Sequence, residues 1–115
     1  MIQVKNLLRA FPGRKNRPEE HIQELFRGGG ITIEGIITYG KVTLQGQWYD
    51  DPRTEFVMVL SGEAELLFEE NNQRAKLGRF DYVIIPPHER HRIEWVGAYR
   101  NTLWLTAYIE NSLKE

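Results

Sequence analysis

From Ile31 onward the chain is a succession of short β-branched and aromatic runs, each bounded by turn residues, with no stretch of helical period among them. The runs are Ile31 to Tyr39, Gln45 to Asp50, Glu55 to Leu60, Glu63 to Glu69, Gln73 to Leu77, Asp81 to Pro86, His91 to Val96 and Thr102 to Ile109. Between them stand Gly40, Gly46, Asp51-Pro52, Ser61-Gly62, Asn71-Asn72, Pro86-Pro87 and Gly97, which supply either positive φ or a missing donor. Asn71-Asn72 is expected to close a tight hairpin. Eight strands predict an all-β barrel or jelly roll. Ahead of them, Pro18 suits a first helical position, Glu19 and Glu20 suit the positive end of a helix dipole, and Ile22, Leu25 and Phe26 follow at helical spacing. Gly28-Gly29-Gly30 should stop that helix, because three glycines cost too much backbone entropy to sit inside a regular element. The expected plan is one domain over residues 1–115, with an N-terminal segment and short helix in 1–30 and a β-barrel in 31–110.

The run Phe56 to Leu60 is apolar at every position, so both of its faces should be covered, the outer one by a second subunit. Ile2-Gln3-Val4-Lys5 alternates and could add a strand to an edge that needs protection. Together these predict a homodimer.

At 115 residues there is room for one hydrophobic core. The formal charge of -1 offers no global attraction to nucleic acid or lipid, so neither is expected as a partner. Residues 1 to 27 are locally basic, with six basic and three acidic groups, but Arg14-Lys15-Asn16-Arg17 is too short and too poor in aromatics for a nucleic-acid platform and reads as a solvated loop. With no cysteine, disulfides, thiolate catalysis and cysteine-bound zinc are excluded. No signal-like or membrane-length apolar run is present, which makes a cytoplasmic location the expectation. The glycine triplet follows a helical pattern instead of opening one, which argues against a phosphate loop.

Chemistry concentrates on His88 and His91, three apart and just after Pro86-Pro87. Two imidazoles with a carboxylate from another strand, for which Glu55 is the natural candidate, would make an open two-histidine, one-carboxylate metal site. The competing reading makes His91 and Glu55 a hydrogen-bonded polar pair at the barrel mouth.

Two stretches carry a family resemblance. Gly46-Gln47-Trp48-Tyr49-Asp50-Asp51-Pro52-Arg53-Thr54-Glu55-Phe56-Val57-Met58-Val59-Leu60-Ser61-Gly62 is similar to the first cupin motif in the spacing from Glu55 to Gly62. Asp81-Tyr82-Val83-Ile84-Ile85-Pro86-Pro87-His88-Glu89-Arg90-His91 resembles the second, with His91 on the metal-binding histidine. The resemblance implies a jelly-roll barrel and a site of three histidines and one glutamate. Both first-motif histidines are missing, their places taken by Trp48 and Asp50, or by Tyr49 and Asp51 under the alternative spacing. His88 and Phe80 stand where the second motif commonly has glycine. The implied ligand set is therefore His91, Glu55 and His88 with Asp50 or Asp51, holding iron, manganese, nickel or zinc.

Tyr49, Tyr39 and Trp95, with Tyr82, are candidates to line the barrel cavity, while His21 reads as an exposed helix residue and Asp81 as a turn former. Arg90 and Arg92 flank His91 and would face away from it. No serine-elbow signature is present. The functional expectation is a small barrel binding a divalent metal and a small polar organic ligand, with a metal-free ligand-binding or dimerisation module as the alternative.

Overall fold

The structure is a computed structural model that describes residues 1–11, 20–39, 47–97 and 101–110, and the statements below concern these residues. Eight strands are formed: β1 (Glu20–Gly28), β2 (Ile31–Thr38), β3 (Thr54–Ser61), β4 (Ala64–Phe68), β5 (Gln73–Leu77), β6 (Tyr82–Ile85), β7 (His91–Val96) and β8 (Thr102–Ile109). They make two antiparallel sheets, one ordered β1-β2-β8-β3-β6 and one ordered β5-β4-β7, which face each other as an all-β jelly roll.

Strict alternation builds the core. Successive side chains of a strand point to opposite faces, so Val57 and Val59 of β3 and Trp104 of β8 turn inward with Ile36 of β2. They meet Leu66 and Phe68 of β4, Ile93 and Val96 of β7, and Ile85. Two buried polar groups within this layer are satisfied: the Trp104 indole donates to Thr38 Oγ1 at 3.1 Å, and the Thr102 hydroxyl donates to the Glu63 carbonyl at 3.1 Å.

The predicted N-terminal α-helix does not form; only 3-10 turns occur, at Leu7–Ala10 and Glu70–Asn72. Residues 20–28 are instead β1, paired with β2 from Glu20 opposite Thr38 to Gly28 opposite Ile31. Gly29 and Gly30, at φ 60° and 80°, are the two central residues of that hairpin turn, a geometry that demands positive φ at both positions. A bulge between Glu24 and Phe26 shifts the side-chain phase of β1 by one residue. That shift is what made Ile22, Leu25 and Phe26 look helical. Pro18 and Glu19 lie outside the described residues, as do Arg14 to Arg17, Gly40, Gln45 and Gly46. No strand occupies 47–50; Tyr49 alone bridges to His91, and β1 takes the place of the expected second run. Asn71 and Asn72, at φ 63° and 49°, do turn the chain from β4 into β5.

The outer face of the larger sheet is apolar along β3, β6 and β8. Phe56, Met58 and Leu60 of β3 are half-buried, Tyr82 and Ile84 of β6 are exposed, and the Phe56 and Tyr82 rings stack with centroids 5.2 Å apart. The start of the chain crosses the sheet over β2, where Leu7 and Phe11 pack so closely on Gly35 that a Cβ there would lie 2.6 Å from Leu7 Cδ1. Met1, Ile2 and Val4 form no strand and remain fully exposed.

Two glycines test the backbone account. Gly62 has φ 90°, and an added Cβ would lie 2.8 Å from the Asn101 carbonyl oxygen, whereas Gly29 at φ 60° has no atom within 4 Å of that point. Gly62→Ala should cost more than about 2 kcal/mol, and Gly29→Ala about 1 kcal/mol, in urea unfolding. Equal costs would contradict the packing around Gly62.

Candidate functional site

Inward positions change character along the barrel. On β3 they run Val59, Val57, Glu55, and on β8, paired alongside, Trp104, Thr106, Tyr108. Apolar volume thus fills one end, and polar groups ring the other around a cavity of about 210 Å³. Its walls are Ile22, Ile36, Val57, Leu66, Ile93 and Trp104; its polar rim includes Glu20, Tyr49, Asp50, Asp51, Glu55 and His91, with Thr106 and Tyr108 on β8.

Glu55 and His91 are the buried pair of this rim, at 8% and 5% exposure, with Glu55 Oε1 3.6 Å from His91 Nε2. His91 Nδ1 lies 2.9 Å from the Glu89 carbonyl oxygen, which can only accept, so Nδ1 carries the proton and Nε2 turns its lone pair to the carboxyl group. The rings of Tyr49 and Phe68, 5.6 and 5.8 Å away, hold the imidazole between them. Burial pushes the Glu55 carboxyl up to about 7, assisted by the Asp51 charge and opposed by a hydrogen bond from the Tyr108 hydroxyl. Burial also holds His91 below its ordinary value, and it raises Tyr108. Below about pH 7 a carboxylic acid therefore faces an imidazole whose neutral form burial favours, a donor and an acceptor side by side.

The rim has fixed edges. Arg53 grips Asp51 through Nε and Nη2 at 2.9 and 2.8 Å and lies over the Tyr108 ring at 4.3 Å, which keeps Asp51 below the usual carboxylate range. His88 sits on the other side. Its backbone takes φ 63°, the glycine conformation, which sends the side chain into solvent at 68% exposure with Nδ1 2.9 Å from Asp50 Oδ1. Phe80, at φ 73°, also adopts the conformation of the glycine it replaces.

The expected ligand set is thus not brought together. His91 and Glu55 meet, Tyr49, Asp50 and Asp51 line the rim, and His88 stays outside paired to Asp50. Among the described residues no three His, Asp or Glu side chains gather where they could hold a metal ion. Two donors are fewer than an open three-ligand site requires, and these residues do not fit the ion implied by the motif. Tyr39 is half-buried and Trp95 partly exposed beside Lys76, and neither lines the cavity. His21 is a half-buried strand residue with its ring edge-on to Phe11 at 5.2 Å, not an exposed helix residue. Arg90 and Arg92 flank Trp48, at 5.9 and 4.7 Å from its ring. Glu20, Thr106 and Tyr108 belong to the site although sequence reasoning passed over them. The alternation Thr102, Trp104, Thr106, Tyr108 was the signal that β8 turns polar toward the mouth. Thr106 is 2% exposed, and its hydroxyl has no hydrogen-bond partner among the described residues.

Residues 35–108 match the profile of the cupin domain family. Among solved structures, a Ralstonia eutropha protein provisionally assigned as a mannose-6-phosphate isomerase is 33% identical, with a TM-score of 0.84 over 95% of this chain and 99% of that one. A cupin superfamily protein from Desulfitobacterium hafniense, at 19% identity, has a TM-score of 0.72 over 96% and 95% of the two chains. The polyketide cyclase RemF from Streptomyces resistomycificus, at 14% identity, has a TM-score of 0.74 over 100% and 89%. The last two show a shared fold. No match was found among curated proteins.

The buried carboxyl makes stability depend on pH. Below 4.5 Glu55 is protonated in the folded and the unfolded chain alike; between 4.5 and about 7 only the folded chain keeps the proton, so stability falls as pH rises and levels off above 7. His91 acts in the opposite sense, because acidification below 6.5 protonates the unfolded chain first. Comparison with Glu55→Gln separates the two. The wild-type advantage over that variant should shrink by on the order of 3 kcal/mol between pH 4.5 and 7 in urea melts. A difference that does not vary with pH would contradict a buried, protonated Glu55.

Proposed function

Since the chain belongs to the cupin domain family, we propose that it encloses a small polar organic molecule in its barrel and moves a proton on that molecule through Glu55 and His91. The observation that carries this reading is the buried pair itself, a carboxyl 3.6 Å from an imidazole nitrogen at the wall of the cavity. Glu55 donates its proton to an accepting atom of the ligand, such as a carbonyl oxygen, while His91 Nε2 takes one from the neighbouring carbon. The ligand leaves as its tautomer and no electrons are exchanged. Return of that proton from His91 to a different carbon, while Glu55 recovers one from a hydroxyl oxygen of the intermediate, makes the overall change an isomerisation and resets both residues. The 33%-identical Ralstonia relative carries an isomerase assignment, which supports the same class of chemistry. This reading needs no metal, in keeping with a donor set of two.

The test is solvent proton exchange. Ligand-detected NMR against a library of small polar compounds should find binders, and those with an acidic C–H should take up deuterium from D2O. Glu55→Gln and His91→Gln should each slow uptake by about 100-fold or more. Elemental analysis of the untagged protein should find well below one metal per chain, with uptake unaffected by chelator. Stoichiometric metal that is lost in His91→Ala would overturn the metal-free reading, and binders that exchange equally well in both variants would overturn the role of the pair.

We further propose that the protein is a homodimer through the outer face of its larger sheet. Phe56, Met58, Leu60, Tyr82 and Ile84 lie there without a charged neighbour on β3 or β6, and the same chain carries the uncovered apolar side chains of Met1, Ile2 and Val4. Sedimentation at micromolar concentration should show a dimer that Met58→Asp dissociates. A wild-type monomer would refute it.

A further inference from the structure

We infer that the molecule held in this cavity is an organic cation, an amine on a compact apolar body; the inference rests on the cavity being a ligand site as proposed above. The charge around the cavity is one-sided. Its acidic lining residues are Glu20, Asp50, Asp51 and Glu55, of which Glu55 keeps its proton up to about pH 7, and no lysine or arginine is among the described lining residues. The closest guanidinium, Arg53, is already bound at both ends of the Asp51 carboxylate, and His88 is engaged by Asp50. Glu34, half-buried, stands opposite Thr106 in the β2–β8 register and adds a further carboxyl on the same face of the sheet. Burial raises both Glu20 and Glu34; the Glu34 charge adds to the first shift, and Arg53 opposes the second.

A second observation is independent of charge. Thr106 is buried, lines the cavity, and its hydroxyl has no partner among the described residues. A buried hydroxyl left unpaired is costly, and a polar group on a bound molecule would satisfy it, an N–H by donating to Oγ1 or an oxygen by accepting from it. The rest of the surface selects the body of that molecule, since Ile36, Val57, Ile93 and Trp104 offer apolar contact. At about 210 Å³ the space suits a compact molecule. A phosphate or carboxylate would meet like charge with no compensating lysine or arginine among the described lining residues, which separates this site from one built for a sugar phosphate.

Three probes of matched shape test this: benzylamine, benzyl alcohol and benzoate, titrated calorimetrically and by NMR at neutral pH. Benzylamine should bind at least about tenfold more tightly than benzoate, with the alcohol between them and shifts reaching the Thr106 amide. Combined Glu20→Gln and Asp50→Asn should weaken benzylamine by about tenfold and leave benzyl alcohol unchanged. Thr106→Val, which breaks no existing hydrogen bond and so should fold, should weaken both. Benzoate binding as tightly as benzylamine, or an amine affinity indifferent to the loss of the two carboxylates, would overturn the charge assignment while leaving the cavity a ligand site. Failure of all three probes at millimolar concentration would overturn the ligand-site reading with it.

Discussion

At the cavity mouth the two sheets are tied by backbone: Tyr49 N–H donates to the His91 carbonyl at 2.7 Å, and His91 N–H donates to the Tyr49 carbonyl at 3.1 Å. A third bond, from the His88 amide to the Asp51 carbonyl at 2.8 Å, extends the tie. These bonds bring the segment before β3 against the start of β7. Because β3 begins only a few residues later, its first inward side chain, Glu55, arrives opposite the first inward side chain of β7, His91. The acid and the imidazole thus come from different sheets, and their separation is set by main-chain geometry more than by their own attraction.

The barrel can accept such polarity because its other end does not. Val59 is completely buried, Thr102 and Trp104 are hydrogen-bonded within the core, and β4 and β7 bring Ala64, Leu66, Ile93 and Val96 against them. Hydrophobic burial there supplies the stability that a carboxyl, an imidazole and an unpaired hydroxyl at the mouth would otherwise erode. Of the left-handed non-glycine residues, His88 and Phe80 are the two that are not asparagine, and both are exposed, so their backbone strain lies outside the core. Glycine at either place would remove the strain; at His88 it would also remove the contact that restrains Asp50.

Seven of the eight strands were readable from runs of β-branched and aromatic residues broken by turn formers, and the Asn71-Asn72 hairpin followed from its chemistry. β1 was not readable, because the bulge after Glu24 displaces its pattern and a proline-glutamate start imitates a helix entrance. Pairing with β2 outweighed that local preference. At the site, Glu55 and His91 were legible from their spacing to Gly62 and Pro86. The direction of His88 was not, since it depends on a backbone angle that residue identity does not determine. Thr106 and Tyr108 looked like ordinary strand residues, and only the topology, which sets β8 between β2 and β3 in the larger sheet, places them on the cavity wall.

Of the strands that wall the cavity, β1 is held least. It is an edge strand whose hydrogen-bonding neighbour is β2, and none of its side chains is fully buried, yet Glu20 and Ile22 form one side of the cavity. Peeling that end of the hairpin away breaks a few ladder bonds and disturbs no core residue. On the proposed ligand-binding reading, a guest too bulky for the cavity would enter by opening this edge, and substitutions along 20–28 would tune selectivity by size without repacking the interior.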